Sequence, residues 1–515
     1  MSKLKILFAV ISIVYACSTP KQKADLVIEN GSIIDGSGEK SYKADIAIRD
    51  NKIIDITPEW KGLYTSEKII DARGYIVSPG FIDPHTHAFD DLNSTERNAC
   101  LNYLSQGVTT VIVGNDGGGP VLVQETFDKW QEQGIGVNAG LLVGHGTIRK
   151  LAMGMGDNDP DEATLQKMQT FTTRAMEEGA LGLSTGLFYA PGSYAKTEEV
   201  IALAKIAAQY GGIYDTHLRD ESSYNIGLVA AVKEAITISK EADIPLHISH
   251  IKCLGTDVWG KSQEIIALVD SCQKAGMAIT ANQYPYNASG TNVVSALFPR
   301  SALVGGPDMF QQRLDQAESL NSIKVDVKEN MRKRGGAATL LITRYADTTL
   351  IKKNIKEVAE IWQMDTVDAA VEIARNGNAR LASFNMQETD MANFMQQEWI
   401  VTGSDGSTGH PRKYGSFPRK LEKYVLEEKV IDLPAFIRNS SAKTAEIFGI
   451  NNRGYLKQGY QADIIIFKPE EVQENATFQN PEALSEGIHW VLVNGQLVIE
   501  EGKYNGKLVG EVVER

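Results

Sequence analysis

Cysteine is scarce in this chain, with four in 515 residues, and long apolar runs are scarcer still. Cys17 lies near the N-terminus, which leaves Cys100, Cys253 and Cys272 for the body of the protein. Three thiols cannot build a disulfide framework, so the fold must rest on a buried core, with at least one thiol free. No internal stretch reaches the roughly 20 consecutive apolar residues that span a bilayer. Positive charge is also in deficit: 52 Lys and Arg face 65 Asp and Glu, for a net charge of −13. That balance excludes nucleic acid as a partner, because phosphate binding needs a basic surface. What remains is ordinary for a folded protein, with 43% hydrophobic and 23% charged residues, and long enough for one large barrel plus additions.

The N-terminus is of another kind. MSKLKILFAVISIVYACSTPKQK carries Lys3 and Lys5, an apolar stretch from Ile6 to Tyr15, and then Ala16-Cys17. A basic start, a hydrophobic segment too short to span and a small residue before the cut make a secretory signal. Cysteine directly after the small residue resembles the bacterial lipoprotein pattern. The expectation is a signal over residues 1–17, with Cys17 becoming the lipidated first residue, and a tether over residues 18–23. The protein is then exported to the periplasmic face of a bacterial membrane and touches it only through Cys17.

From residue 24 to 79 short alternating segments such as ADLVIENGSIIDGSGE and ADIAIRDNKIIDI are broken by Asn-Gly and Gly-Ser-Gly, as strands and turns are. Residues 450–515 repeat that style, so the two ends are expected to pair into one small β-sandwich domain. The middle, residues 80–449, alternates uniformly apolar strands with helical patterns. TTVIVGND, VNAGLLVGHG, ALGLSTGLFY, GIYDTHLRDE, LHISHIK, AITANQYPY and WIVTGSDG are the candidate strands. Seven or eight βα units of this kind predict an α/β fold, a (β/α)8 TIM barrel. Residues 300–400 read as a helix-rich insertion, with ENMRKRGG as a solvated basic face.

Five of the eight histidines fall at the C-terminal ends of those strands: His85, His87, His145, His217 and His250. Catalytic groups of this barrel sit at that face. His85-Thr-His87 places both imidazoles on one side of an extended chain, ready to hold a divalent metal. His247, three residues before His250, points elsewhere and reads as structural. Asp116, in VGNDGGG, and Asp405, in TGSDGSTG, add carboxylates at two further strand ends. Asp-Gly pairs also suit ordinary turns. A hydrolytic metal site needs N and O ligands, a place for water and a base to take its proton; Asp405 on the last strand suits that base.

These motifs in this order resemble the amidohydrolase superfamily, and within it the N-acyl-D-amino-acid deacylases, or D-aminoacylases. The resemblance is carried by PGFIDPHTH, SQGVTTVIVGN, GHGTIR, GLSTGLFYAPG, THLRDE, HISHIK, YPYNASGTN and SDGSTGHPRKYGSFPRKL, and runs from about residue 24 to the C-terminus. It implies hydrolysis of N-acyl-D-amino acids on one tightly bound Zn²⁺ held by His217 and His250, with a further ligand from the end of the second strand. His85, His87 and Asp405 would form a second, weaker metal position, with Asp405 as general base. The resemblance also implies Lys252, Tyr284 and Tyr189 around the substrate; Arg300, Arg412 and His145 are further candidates to line its pocket. One departure stands out: the family carries Cys where this chain has Asp116. Other amidohydrolases bridge two metals with a carboxylated lysine from the fourth strand, and ALGLSTGLFY offers none. Asp116 is then the bridging candidate, and its harder oxygen admits Mn²⁺ or Co²⁺ beside zinc. The alternatives are a dipeptidase or cyclic-amide hydrolase on the same scaffold, or a lipid-anchored binding protein that has lost catalysis. Oligomeric state leaves no signature in the sequence.

Overall fold

The computed structural model describes residues 21–515 apart from 59, 61 and 62; the leader and Cys17 lie outside the described residues. Eight parallel strands form the barrel: β1 Phe81–Asp83, β2 Val108–Val113, β3 Asn138–Leu141 continuing as Val143–Gly144, and β4 Gly182–Gly186. They are followed by β5 Ile213–His217, β6 Leu246–Ile248, β7 Ile279–Gln283 and β8 Ile400–Thr402. Neighbours pair in sequence order, and a parallel bridge between Thr86 and Gly406 closes the ring. Every residue of β2 is buried, as expected of a strand covered on both faces.

The covering helices are amphipathic. Leu228–Ala242 buries Leu228, Ala231, Val232, Ala235, Ile236, Ser239 and Ala242, a stripe at steps of three and four residues, with Ile238 buried beside it. Each large apolar side chain removed from water this way contributes roughly 1.5–3 kcal/mol.

Both ends of the chain enter one further sheet, in which Ile464–Phe467 lies antiparallel to Ile76–Pro79, and Leu26–Ile33 continues the sheet beyond it. Period two decides what this sheet touches. Ile464 and Ile466 face a core built with Leu26, Ile28 and Ile46, while Ile465 and Phe467 face the barrel core. The last strand departs from the expected grouping of residues 450–515. Val512–Val513 leaves that sheet and pairs with β3. The main-chain N–H of Glu511 donates to Asn138 Oδ1 at 3.0 Å, and the Asn494 amide donates to the Val509 carbonyl at 2.8 Å.

Between β7 and β8 the insertion holds more than helices. Ala288–Asn292, Leu340–Arg344 and Arg380–Phe384 form an antiparallel sheet with its own apolar core, including Phe298, Phe310, Leu314 and Val358. Short strands with mixed residues carried no clear alternation, which is why the sequence showed only the helices.

The turn after β2 is packed against β3. A Cβ on Gly119 would lie 1.8 Å from the Leu142 carbonyl oxygen, whereas one on Gly118 would meet only the Asn115 oxygen, at 3.5 Å. Gly119→Ala is therefore expected to destabilise the protein by about 2 kcal/mol or more, and Gly118→Ala by less than about 0.5 kcal/mol. Urea unfolding of the two variants checks this; equal midpoints would contradict the packing.

Candidate metal centre

Six side chains converge at the C-terminal mouth of the barrel. His85 and His87 follow β1, Asp116 follows β2, His217 ends β5, His250 follows β6 and Asp405 follows β8. Asp116 stands in their midst. Its Oδ1 lies 3.5 Å from His85 Nε2, 3.5 Å from His217 Nδ1 and 3.4 Å from His250 Nε2, and its Oδ2 lies 3.5 Å from His87 Nε2. Asp405 Oδ1 is 3.1 Å from His87 Nε2 and 3.7 Å from His85 Nε2.

The donor set fits a metal. Ligand atoms about 2.0–2.2 Å from one tetrahedral ion stand about 3.3–3.6 Å from each other, and the Asp116 distances fall in that range. His85 Nε2 and Asp116 Oδ1 are buried without a hydrogen-bond partner, an arrangement that an unmetallated protein has no reason to keep. His85, Asp116, His250 and Asp405 can offer four ligand atoms within 4.8 Å of one another.

Backbone geometry aims them. Asp116 (φ 55°), His250 (φ 34°) and Asp405 (φ 47°) all occupy the left-handed region, which non-glycine residues seldom enter away from sites that need it. Each is held. The His250 N–H donates to Asn282 Oδ1 at 2.9 Å and the Asp405 N–H to the His85 carbonyl at 2.9 Å. The Asp116 turn is held from β4, where Ser184 Oγ donates to the Gly114 carbonyl at 2.5 Å and accepts from Gly117 N at 3.1 Å. A Cβ on Gly186 would lie 2.2 Å from the Asp116 carbonyl oxygen. The strand that lacks a bridging lysine thus has the small residues that let Asp116 occupy the centre.

Electrostatics follow from this crowding. Burial would raise the Asp116 carboxyl, but His85, His217 and His250 outweigh it and hold it well below the usual range. Burial likewise acts against ionisation of Asp405, yet Arg412, 2.7 Å away, and His250 keep it well below its ordinary value. His85 is pushed down to about 4, chiefly by burial, so its imidazole is neutral and free to ligate. Asp83, raised to about 7 by burial, accepts from His85 N and Ser404 N and braces both ends of the site.

The cavity over the centre is lined by Tyr189, Lys252, Tyr284 and Arg412, together with His87, Asp116, His217, His250 and Asp405. Arg412 and Lys252 flank the Tyr284 ring, 4.6 and 5.7 Å from its centroid. Two expected pocket residues lie elsewhere. His145 does not reach the cavity: it is fully buried, with Nε2 2.8 Å from Glu199 Oε1, and Glu199 also pairs with Arg149. Its strand-end position serves a buried ion cluster. Arg300 lies behind the cavity wall, stacked on Phe188 at 4.1 Å, with Nη2 donating to the Ser295 carbonyl at 2.7 Å. His247 is bound to Thr280 and Asn282 on β7, away from the centre, as its position predicts.

Sequence reading missed two participants. Glu221 lies 2.5 Å from Lys252 Nζ, 3.1 Å from His250 Nδ1 and 3.6 Å from His217 Nε2; its place four residues after His217 was the available signal. Arg334, inside the supposedly solvated ENMRKRGG, is 2% exposed and lines the cavity. Its neighbour Arg332 does face solvent, paired with Asp257 and Glu329.

An eight-stranded α/β barrel with imidazoles and carboxylates gathered at its C-terminal mouth defines a metal-dependent barrel enzyme. More narrowly, the chain belongs to the amidohydrolase family, which it matches over residues 76–498. It is 31% identical over 507 residues to an N-acyl-D-glutamate deacylase of Alcaligenes xylosoxydans xylosoxydans, covering 93% of this chain and 95% of that one. A D-aminoacylase crystal structure superposes with a TM-score of 0.82 at 29% identity, covering 96% of this chain and all of the other. The N-acyl-D-glutamate deacylase of Bordetella bronchiseptica, solved with zinc and a phosphonate mimic of the tetrahedral intermediate, gives 0.81 at 31% identity, covering 96% and 100%.

Asp116→Ala is expected to weaken divalent-metal binding by at least about 100-fold, and Ser184→Ala, which frees the turn without touching a ligand, by about 10-fold. Competition with a chromogenic chelator measures both. Unchanged affinity in Asp116→Ala would make Asp116 a turn residue and nothing more.

Proposed function

We propose that this protein is a zinc-dependent deacylase that hydrolyses N-acyl-D-amino acids to a carboxylate and a free D-amino acid. The observation that carries this is the pair of orphaned buried ligand atoms, His85 Nε2 and Asp116 Oδ1, among the imidazoles of His87, His217 and His250, beside a cavity lined also by Asp405, Lys252 and Arg412. The likeness to deacylases over nearly the whole chain supports it.

His217, His250 and Asp116 would hold the tighter Zn²⁺, and His85, His87 and Asp405 a second, with Asp116 between them and Mn²⁺ or Co²⁺ as substitutes. Bound there, zinc supplies polarisation of the acyl carbonyl and of the attacking water. Asp405 takes the water proton on its carboxylate and returns it to the departing amine nitrogen. Arg412 keeps Asp405 ionised and ready for that proton. Lys252, Tyr284 and Arg412 converge where the substrate α-carboxylate would be clamped, and Tyr189 closes one wall. Glu221, bonded to both Lys252 and His250, couples the clamp to the metal ligands.

Residues 1–17 support export and lipid anchoring through Cys17, at the periplasmic face of the membrane. Among the described residues no helix is long and apolar enough to cross a membrane.

Asp405→Asn is expected to retain its metal while turnover falls by about 100-fold to 10,000-fold; full activity would remove the proposed base. A panel of N-acetyl-D-amino acids, their L-enantiomers, D-dipeptides and hydantoins tests the substrate class, and hydrolysis confined to the cyclic amides would overturn the deacylase reading. For the anchor, Cys17→Ala should move the protein out of the membrane fraction. Retention there would refute lipidation at Cys17.

A further inference from the structure

GHGTIR carries a strand-end histidine that the metal centre leaves unused, and its charged side chains are buried. His145 Nε2 lies 2.8 Å from Glu199 Oε1, Arg149 Nη1 donates to Glu199 Oε2, and Arg149 Nη2 donates to the Asn158 carbonyl at 2.8 Å. Burial acts against ionisation of Glu199, yet His145 and Arg149 hold its carboxyl below the ordinary range. A buried ion cluster is a poor source of stability, because apolar residues of similar volume often pack as well or better.

What the cluster supplies is register. His145 and Arg149 stand four residues apart, one turn of the helix His145–Met153. Each takes a different oxygen of one carboxylate on the helix Thr197–Gln209. A grip with two prongs, one turn apart, fixes both the rotation and the height of the first helix, where an apolar contact would let it slide.

That helix reaches the Asp116 turn. The Thr147 N–H in its first turn donates to the Gly117 carbonyl at 3.1 Å, and the Gly144 N–H just before it donates to the Gly119 carbonyl at 3.2 Å. The approach is close: a Cβ on Gly144 would lie 2.3 Å from the Gly117 carbonyl oxygen, and one on Gly146 would lie 3.0 Å from it. Ser184 holds the Gly117 N–H and the helix holds the Gly117 carbonyl, so the residue after Asp116 is fixed from two elements.

We propose that Glu199 is a positioning residue of the metal centre: through His145 and Arg149 it sets the helix that fixes the Asp116 turn, and with it the reach of the Asp116 carboxylate to the imidazoles. Its partners His145 and Arg149 both stand outside the cavity lining. Ligand positions tolerate errors of only a few tenths of an ångström, so a small slide of this helix is felt at the ion. The inference rests on the metal reading of Asp116 and is indifferent to which amide is cleaved.

Chelator competition for Zn²⁺ and hydrogen exchange of the metal-free protein test it. Glu199→Gln keeps the volume and removes the charge. Where a melting-temperature check shows that it does not fold, His145→Leu, which leaves Glu199 paired with Arg149, takes its place with the same outcomes. Val358→Ala opens a cavity in the insertion core and serves as a control for loss of stability alone. Glu199→Gln is expected to weaken Zn²⁺ binding by at least about fivefold, to speed exchange of the Thr147 amide by about tenfold or more, and to change the visible absorption of the Co²⁺-loaded protein. Val358→Ala, distant and independent, should keep its Zn²⁺ affinity within about twofold. Unchanged affinity in Glu199→Gln, or an equal loss in Val358→Ala, would overturn the inference while Asp116→Ala still reports the metal site. If Asp116→Ala binds Zn²⁺ as tightly as the unaltered protein, the metal reading of that residue fails, and the inference fails with it.

Discussion

One buried carboxylate faces four imidazoles at the centre of this protein, at 3.4 to 3.5 Å from each. None of those separations is a hydrogen bond, and all of them are contacts that shared ligands of a metal make. The groups come from four different strand ends, so no local piece of chain can produce the cluster. Only the closed ring of eight strands brings residues 85, 116, 217, 250 and 405 within a few ångströms. The barrel core and its helices therefore supply the free energy that holds this assembly of ligand atoms together, helped by direct bonds of His217 to His250 at 2.9 Å and of His87 to Asp405 at 3.1 Å.

Part of that stabilisation is spent as backbone strain. Asp116, His250 and Asp405 all turn through the left-handed region, and each such turn is worth roughly 1–3 kcal/mol of strain. The structure meets this with hydrogen-bond acceptors placed on other strands: Asn282 Oδ1 for His250 N–H, the His85 carbonyl for Asp405 N–H, and Ser184 Oγ for Gly117 N–H in the Asp116 turn. Asp116 is thus a turn residue and a metal-site residue for the same reason. The conformation that a short polar side chain tolerates in Asn-Asp-Gly is the one that brings its carboxylate back over the barrel axis.

Much of this was legible from the residues. Strands buried on both faces advertise themselves as apolar runs, and a polar residue directly after such a run marks the barrel mouth. That is why all six convergent side chains could be named, and why His247, within the strand, could be set aside. The same logic misplaced His145. It stands at a strand end, but the chain there passes directly into the helix His145–Met153, which turns the imidazole toward Glu199. Position along a strand does not give the direction of a side chain once the next element begins. Arg334 failed for another reason: in MRKR the charges look alike, and only tertiary packing separates Arg332 in solvent from Arg334 in the cavity. The antiparallel sheet of the insertion stayed hidden because its strands are short and partly polar.

That last omission bears on how the molecule divides its work. Every group that meets the reacting atoms stands on a barrel strand end, where the hydrogen-bonded sheet leaves little room for movement. Arg334 and Arg380, which also line the cavity, stand instead on an insertion with its own core, joined to the barrel between β7 and β8. The energetics favour this division. Metal ligands tolerate errors of only a few tenths of an ångström, whereas a charge acting across a cavity weakens gradually with distance. Precision is kept where bonds to an ion require it.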